Sequence, residues 1–194
     1  MHVMDKFTPE DAARIISRHK VNYTFAVRTV YTLLLALPDQ LGYDLTSLEI
    51  CIVSGAVTPL ELRKAIENKF GCTTIQAYGQ VESSPVISLD RVDMRRKFES
   101  VGYPLPHVEV KIVDEEDRAL PANEHGEICC KGHCVMKGYW NNPEGTLAAI
   151  RGGWLHTGDI GKLDEDGYLY IFDRKKDMII CGGYNIYPIE LEEL

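Results

Sequence analysis

Two short glycine-bearing segments, Ser54-Gly55-Ala56 and Tyr78-Gly79-Gln80, each follow a run that reads as a buried strand: Leu48 to Val53 and Thr73 to Ala77. Between them lies a helical pattern, so the three form a strand-helix-strand crossover. In parallel units of this kind ligands bind beyond the carboxyl ends of the strands, which places both segments at one expected crevice, with glycine letting a ligand approach backbone. A second chemically suggestive cluster is Cys129-Cys130-Lys131-Gly132-His133-Cys134. Zinc sites favour paired ligands on turns, as in Cys-x-x-Cys. Cys129 and Cys130 are adjacent in an apparent strand and point to opposite faces, which argues against a shared ion. The six cysteines lack the density and spacing of a disulfide framework and read as reduced, buried thiols.

The elements that must hold these segments are legible along the chain. Thr8-Pro9-Glu10-Asp11 has the hydroxyl, proline and acids of a helix start, and a helix to about His19 follows. Val21 to Val27 reads as a strand, and Tyr31 to Leu37 as a helix stopped by Pro38. Thr58-Pro59-Leu60-Glu61 predicts a capping box opening a helix whose inner face carries Leu62, Ala65, Ile66 and Phe70, with Gly71 as its left-handed terminus. From about Gly102 the texture becomes short alternating segments: Val108 to Val113, Gly126 to Lys131, and Ile160 to Leu163 joined to Tyr168 to Ile171 through Asp166-Gly167. The charged stretch Asp90 to Glu99 marks the expected boundary between the α/β part and the β-rich part.

Bulk properties narrow the function classes. At 194 residues, 45% hydrophobic and 26% charged, the chain can bury a core. A formal charge of -8 argues against a phosphate-backbone binder, so nucleic acid is not an expected partner. Its longest apolar stretch falls far short of the ~20 residues that span a bilayer, and no signal-like start is present. The expectation is a cytoplasmic protein without a transmembrane segment.

Taken singly, Asp159 reads as a turn residue after Thr157-Gly158, Arg174 as a solvated charge, Glu82 as a surface acid and Tyr78 as a core aromatic. Taken in order, Tyr78-Gly79-Gln80-Val81-Glu82, His156-Thr157-Gly158-Asp159, Asp173-Arg174-Lys175-Lys176-Asp177-Met178-Ile179 and Gly182-Gly183-Tyr184-Asn185-Ile186 form a set. Together with Ser54-Gly55-Ala56 and Gly138 to Glu144, this set resembles the adenylate-forming superfamily, and within it the acyl-CoA synthetases and fatty-acid CoA ligases.

The resemblance implies a fold and a chemistry. The fold is α/β, a partial parallel layer followed by a small barrel-like β-rich subdomain, ending at the hinge to a C-terminal domain. The implied divisions are 1–95, 96–175 and 176–194. The reaction is ATP-dependent conversion of a carboxylic acid, a fatty acid in this branch, to acyl-AMP and then transfer to coenzyme A, with Mg2+ assisting. Positioning dominates such phosphoryl chemistry. Asp159 then resembles the carboxylate that accepts from the ribose hydroxyls, with Arg174 beside it; Tyr78 covers adenine; Gly55, Ala56, Gly79 and Gln80 border the nucleotide; and Glu82 attends the magnesium ion. Lys176 matches the hinge between the two half-reactions, and Gly182, Gly183 and Tyr184 the passage for the CoA pantetheine arm. Val27, Gly79 and Ser83-Ser84-Pro85 fall near the acyl pocket.

Departures from the family pattern carry their own expectations. Val81 stands where the family usually has threonine, which removes a hydroxyl from the phosphate and metal side and bears on the adenylation rate. The 194 residues contain no Ser/Thr/Gly-rich phosphate loop followed by Pro-Lys and no C-terminal domain with its adenylation lysine. The expectation is a piece of a larger enzyme that does not complete adenylation alone, with Leu33, Leu34 and Leu37 exposed and able to promote homo-oligomerisation. A different class of reading is a non-catalytic nucleotide-binding or partner-binding fragment.

Overall fold

A computed structural model describes residues 4–174, 179–181 and 184–186. It divides into two compact units, Met1–Ala77 and Tyr78–Leu194.

The first unit begins with helix α1 (Pro9–His19), capped by the Thr8 side chain, which accepts from the Asp11 amide; acids occupy its first turn and Arg18 and His19 its last. Both charge placements complement the helix dipole. Strand β1 (Tyr23–Val27) runs straight into helix α2 (Arg28–Leu35). Strand β2 (Ile50–Ser54), helix α3 (Leu60–Phe70) and strand β3 (Thr73–Tyr78) then form the expected crossover. β1 and β2 are parallel with Phe25 opposite Ile52, and β2 and β3 are parallel with Ile52 opposite Ile75. Ala13, Ile16, Tyr31, Leu34, Cys51, Val53, Ile66 and Phe70 make the core of this layer.

Three expectations fail here for local reasons. The Thr58 capping box does not form: α3 starts after Pro59 without a side-chain cap. Thr58 is buried and its amide instead donates to Gln76 Oε1 at 3.2 Å. The inner face of α3 carries Arg63 rather than Ala65, which is exposed. Arg63 is 1% exposed, and its guanidinium donates to Thr74 Oγ1 and to the Thr74 carbonyl, both at 3.1 Å. Leu34 is buried on the face of α2 that also buries Tyr31; Leu33 is exposed and Leu37 half-buried.

The outer face of β1 presents Tyr23, Phe25 and Val27, each about half exposed. With α1 and the start of α2 they border a hollow of about 910 Å³ whose walls include Phe7, Ile16 and Tyr31.

The second unit holds the short antiparallel pair β4 (Ser88–Leu89) and β5 (Tyr103–Pro104). Its main sheet is antiparallel, built from β6 (Val108–Val113), β7 (Gly126–Gly132), β9 (Trp154–Leu163) and β10 (Leu169–Arg174) in the order β10-β9-β7-β6. Between β7 and β9 lie helix α4 (Pro143–Ala149), capped by Asn142, and strand β8 (Ile150–Arg151), which pairs with β9. The hairpin strands run longer than expected: His156 pairs with Cys129 of β7, and Asp159 with Arg174 of β10. Their turn is held by Asp164, whose Oδ1 accepts from the amides of Asp166 and Tyr168, with Gly167 at φ +83°. Strands β11 (Ile179–Cys181) and β12 (Tyr184–Ile186) pair antiparallel.

The parallel α/β layer followed by an antiparallel β-rich region is the architecture expected from the sequence. No helix among the described residues is long and apolar enough to cross a membrane, and none of their His, Cys, Asp and Glu side chains gather into a metal-binding group of three or more.

Candidate functional site

Asp159 is the focus of the second unit. Opposite Ile128 of β7 the regular pairing with β9 is interrupted, passing from Glu127↔Ile160 to Cys129↔His156, so Thr157, Gly158 and Asp159 bulge from the ladder. Bulges re-aim side chains. This one is braced at each residue: Thr157 Oγ1 donates to the Ile128 carbonyl at 2.8 Å and accepts from the Asp159 amide at 3.1 Å, and the Gly158 amide donates to Glu127 Oε1 at 3.2 Å. Gly158 lies at φ +73°, where a side chain would strain the backbone.

The Asp159 carboxylate, 6% exposed, meets two partners. Tyr78 Oη donates to Oδ2 at 2.8 Å, and Arg174 Nε approaches Oδ1 at 3.3 Å. Burial raises the Asp159 carboxyl above its ordinary value, Tyr78 and Arg174 pull it down, and the Glu127 charge adds to the rise. Burial and the facing carboxylate together push the Tyr78 phenol up, so it stays protonated and able to donate. Arg174 has a side chain 60% exposed, and its ion pair is correspondingly weak.

A second bulge decides that Arg174 is the residue facing Asp159. Pairing of β10 with β9 shifts by one between Ile171↔Gly161 and Asp173↔Ile160, which sets Arg174 opposite Asp159. Without the shift Asp173 would face Asp159, carboxylate against carboxylate. Asp173 itself accepts from the Arg174 amide through Oδ1, while its Oδ2 is buried without a hydrogen-bond partner among the described residues.

Glu82 occupies a different place in the unit. It sits in the 3-10 turn Val81–Ser83, which Ser83 closes by accepting from the Gln80 amide and donating to the Gln80 carbonyl. Its own carbonyl accepts from the Met136 amide at 2.8 Å, and its Oε1 accepts from Tyr139 Oη at 2.8 Å. That bond is the main reason the Tyr139 phenol is raised. Val81 is 87% exposed. Gly79 is required by packing: a Cβ there would fall 2.0 Å from the Pro85 carbonyl oxygen. The room that its missing side chain leaves is filled by the chain itself rather than kept open.

In the first unit, Gly55 and Ala56 are exposed beyond the end of β2. Gly55 lies at φ +87°, and the Ala56 carbonyl accepts from Gln76 Nε2 at 3.0 Å. Gln76 thus holds the loop from the neighbouring strand, a role that no pattern in the sequence announces.

The structure therefore brings Tyr78, Asp159 and Arg174 together, sets Glu82 with Tyr139, and gives Gln80 a turn-closing role. Tyr139, Thr157, Glu127 and Asp173 join the site without having been singled out. Tyr139, Thr157 and Asp173 lay in motif segments flagged only as wholes, and Glu127 lay in an expected strand, its role set by a register that single-residue reading does not see. Lys176, Gly182 and Gly183 lie outside the described residues, as does the side chain of Tyr184, whose backbone begins β12.

Comparison with known proteins gives a consistent family. Residues 1–140 match the model of the AMP-binding enzymes. The chain is 45% identical over its whole length to a long-chain-fatty-acid–CoA ligase of Bacillus subtilis, of which it covers 35%. It is 38% identical over 96% of its length to a feruloyl-CoA synthase of an Amycolatopsis species, covering 38% of that protein. Among solved structures, an O-succinylbenzoate coenzyme A synthetase from Bacillus subtilis in complex with ATP and magnesium ion matches 98% of this chain at TM-score 0.84 and 35% identity, over 39% of its own length. An amide bond synthetase from Marinactinospora thermotolerans matches 95% at TM-score 0.85 and 35% identity, over 38% of its length. The chain thus spans roughly a third of the length of the relatives it matches.

Proposed function

This chain belongs to the AMP-binding enzyme family, and we propose that it supplies the ribose, adenine and magnesium side of the site in an enzyme that activates a carboxylic acid as its acyl-AMP and passes the acyl group to coenzyme A. Fatty acids are the favoured substrates, because relatives that align over the whole chain include a long-chain-fatty-acid–CoA ligase. The observation that carries the reading is the buried Asp159 carboxylate, fixed by Tyr78 and Arg174 on a doubly braced bulge.

An ionised carboxylate is an acceptor with about four lone-pair sites. Tyr78 and Arg174 engage one on each oxygen, and the remainder suit the paired hydroxyls of a ribose. Asp173 Oδ2, without a hydrogen-bond partner among the described residues, adds an acceptor one residue from Arg174. Tyr78, held by its hydroxyl and 9% exposed, has its orientation set before ligand arrives. Such preorganisation lowers the ordering cost of binding.

Magnesium fits the donor set in one way. Glu82 supplies a single carboxylate, which Tyr139 orients, and Mg2+ commonly binds through one or two carboxylates together with substrate phosphates and water. When bound, the ion would neutralise charge on the phosphates of ATP. Glu82 and Lys176 are the residues proposed to act in the reaction itself, Lys176 as the hinge. Gly55, Ala56, Gly79 and Gln80 border the nucleotide in this proposal, and Gly182, Gly183 and Tyr184 line the coenzyme A passage. In the same proposal 1–95 and 96–175 are parts of one large domain and 176–194 opens the next.

Calorimetric titration with a non-hydrolysable acyl-adenylate mimic, beside Asp159→Ala, tests the reading. Loss of one or two charged hydrogen bonds predicts binding ~10 to 100-fold weaker in the variant. Equal affinity in both proteins would remove Asp159 from the site.

A further inference from the structure

Away from the nucleotide site, the first unit brings two thiols into contact. Cys51 lies in β2 and is fully buried; Cys72 lies between Gly71 and β3 and is half-buried. Their Sγ atoms are 3.4 Å apart, and both thiols are free. The backbone that carries them is fixed by the parallel ladder, with Ile50 opposite Thr73 and the Thr73 amide donating to the Glu49 carbonyl at 2.8 Å. Thr24 Oγ1, from β1, donates to Cys51 Sγ at 3.4 Å.

We propose that Cys51 and Cys72 are an oxidation site, closing to an intramolecular disulfide on exposure to a low-molecular-weight disulfide and reopening under thiol reductant. Bond formation requires the sulfurs to approach by about 1.4 Å, since a disulfide is ~2.05 Å long. In this proposal the movement comes from rotation of the half-buried Cys72 side chain.

The step has two parts. The Cys72 thiolate, which solvent reaches, attacks one sulfur of glutathione disulfide; that S–S bond breaks and one glutathione leaves as its thiolate. The Cys51 thiolate then attacks the Cys72 sulfur of the mixed disulfide, and the second glutathione leaves. The chain loses two electrons and two protons, and glutathione disulfide gains both as two glutathione thiols.

The surroundings assign the order. Hydrogen bonds from Cys72 and then Thr24 hold the Cys51 thiol below its ordinary range in the reduced chain; once Cys72 is in the mixed disulfide, the Thr24 hydroxyl remains to donate to the attacking Cys51 sulfur. The neighbouring Cys51 and then burial push the Cys72 thiol up, so the first attack is slow at neutral pH and quickens as pH rises. Cys129 and Cys130 are fully buried, out of reach of a disulfide in solution, whereas Cys72 is half-buried. The bond would close a ring from residue 51 to residue 72 that contains the Gly55-Ala56 loop and all of α3.

The test treats the fully reduced 194-residue chain with glutathione disulfide at pH 7 and pH 8.5, alkylates remaining thiols and maps the peptides by mass. A peptide pair linked through Cys51 and Cys72, formed faster at pH 8.5 and lost on adding dithiothreitol, is the expected result. Cys51→Ser should instead accumulate glutathione on Cys72, and Cys72→Ser should give neither linkage nor adduct at Cys51. Absence of the linked pair from the wild-type map, or links that pair these cysteines with others to an equal extent, would overturn the proposal whether or not the variants fold.

Discussion

The hydroxyl of Tyr78 donates to the carboxylate of Asp159 at 2.8 Å, joining the last residue of β3 to the bulge of β9 across 81 positions of sequence. Each partner settles the state of the other: the carboxylate keeps the phenol protonated, and the phenol opposes the effect of burial on the carboxyl.

Tyr78→Phe should therefore raise the Asp159 carboxyl further above its ordinary value, because one of the two groups lowering it is gone. It should also cost about 1–2 kcal/mol of stability, the range for losing a hydrogen bond to a buried group. A carbon-13 NMR titration of the Asp159 carboxyl reads the first effect and urea unfolding the second. An unchanged titration would show that the hydroxyl contact is not kept in solution.

Stability and pH are linked through the same carboxyl, and the sign follows from its direction. The folded value lies above 3.8, so between 3.8 and the raised value the folded chain binds more protons than the unfolded one. Asp159 thus opposes folding above that window, and the opposition is relieved as pH falls through it. Relative to wild type, Asp159→Asn should remove this component, so the stability difference between the two proteins should shrink on acidification from pH 7. Nucleotide affinity should move the other way, weakening as the carboxylate that accepts from ribose becomes protonated. Thermal unfolding of both proteins across pH 4 to 7, alongside titration with AMP, checks the pair of trends.

Glu82 and Val81 separate cation from framework. Glu82→Gln should abolish most of the gain in ATP affinity that Mg2+ brings, an effect of ~10-fold if one charge-assisted contact is lost. Val81→Thr should leave stability within ~0.5 kcal/mol, as expected of an exposed position, and tighten Mg-ATP binding ~2 to 5-fold by adding a hydroxyl. Titrations with and without Mg2+ distinguish these outcomes; an equal response of both variants to the ion would detach this turn from the metal.

Arg63→Ala should be among the costliest single changes in the first unit. It removes a fully buried guanidinium that donates twice to Thr74 and leaves those acceptors without its protons. A loss of about 3–5 kcal/mol is expected, read from the denaturant midpoint, whereas Ala65→Ser on the exposed face of the same helix should stay within ~0.5 kcal/mol.

Much of the fold was legible because its signals are local. Thr8-Pro9 began α1, Gly71 ended α3 in the left-handed region, and the alternation of Val108 to Val113 matched β6 to the residue. The misses share a cause. Arg63 looks like a solvent-facing charge until Thr74 is brought opposite it, and Thr58 looks like a cap until Gln76 takes its amide. Leu34 could not be told from Leu33 before the sheet showed which face of α2 it covers. At the candidate site the motif residues were legible as a set, but their partners were not. Whether Asp159 faces Arg174 or Asp173 depends on a ladder shift, and Tyr139 reaches Glu82 from 57 positions away.

The one-residue shift in β10 also constrains how the hairpin can change in length. Were the strand to pair regularly with Phe172 still in place, it would meet β9 acid to acid, with the guanidinium carried past its counterpart. The hairpin is in effect a vernier, in which a displacement of a single peptide unit exchanges attraction for repulsion at the most buried charge of the site. A change of length is therefore expected to be tolerated better at the Asp164–Tyr168 turn than within β10.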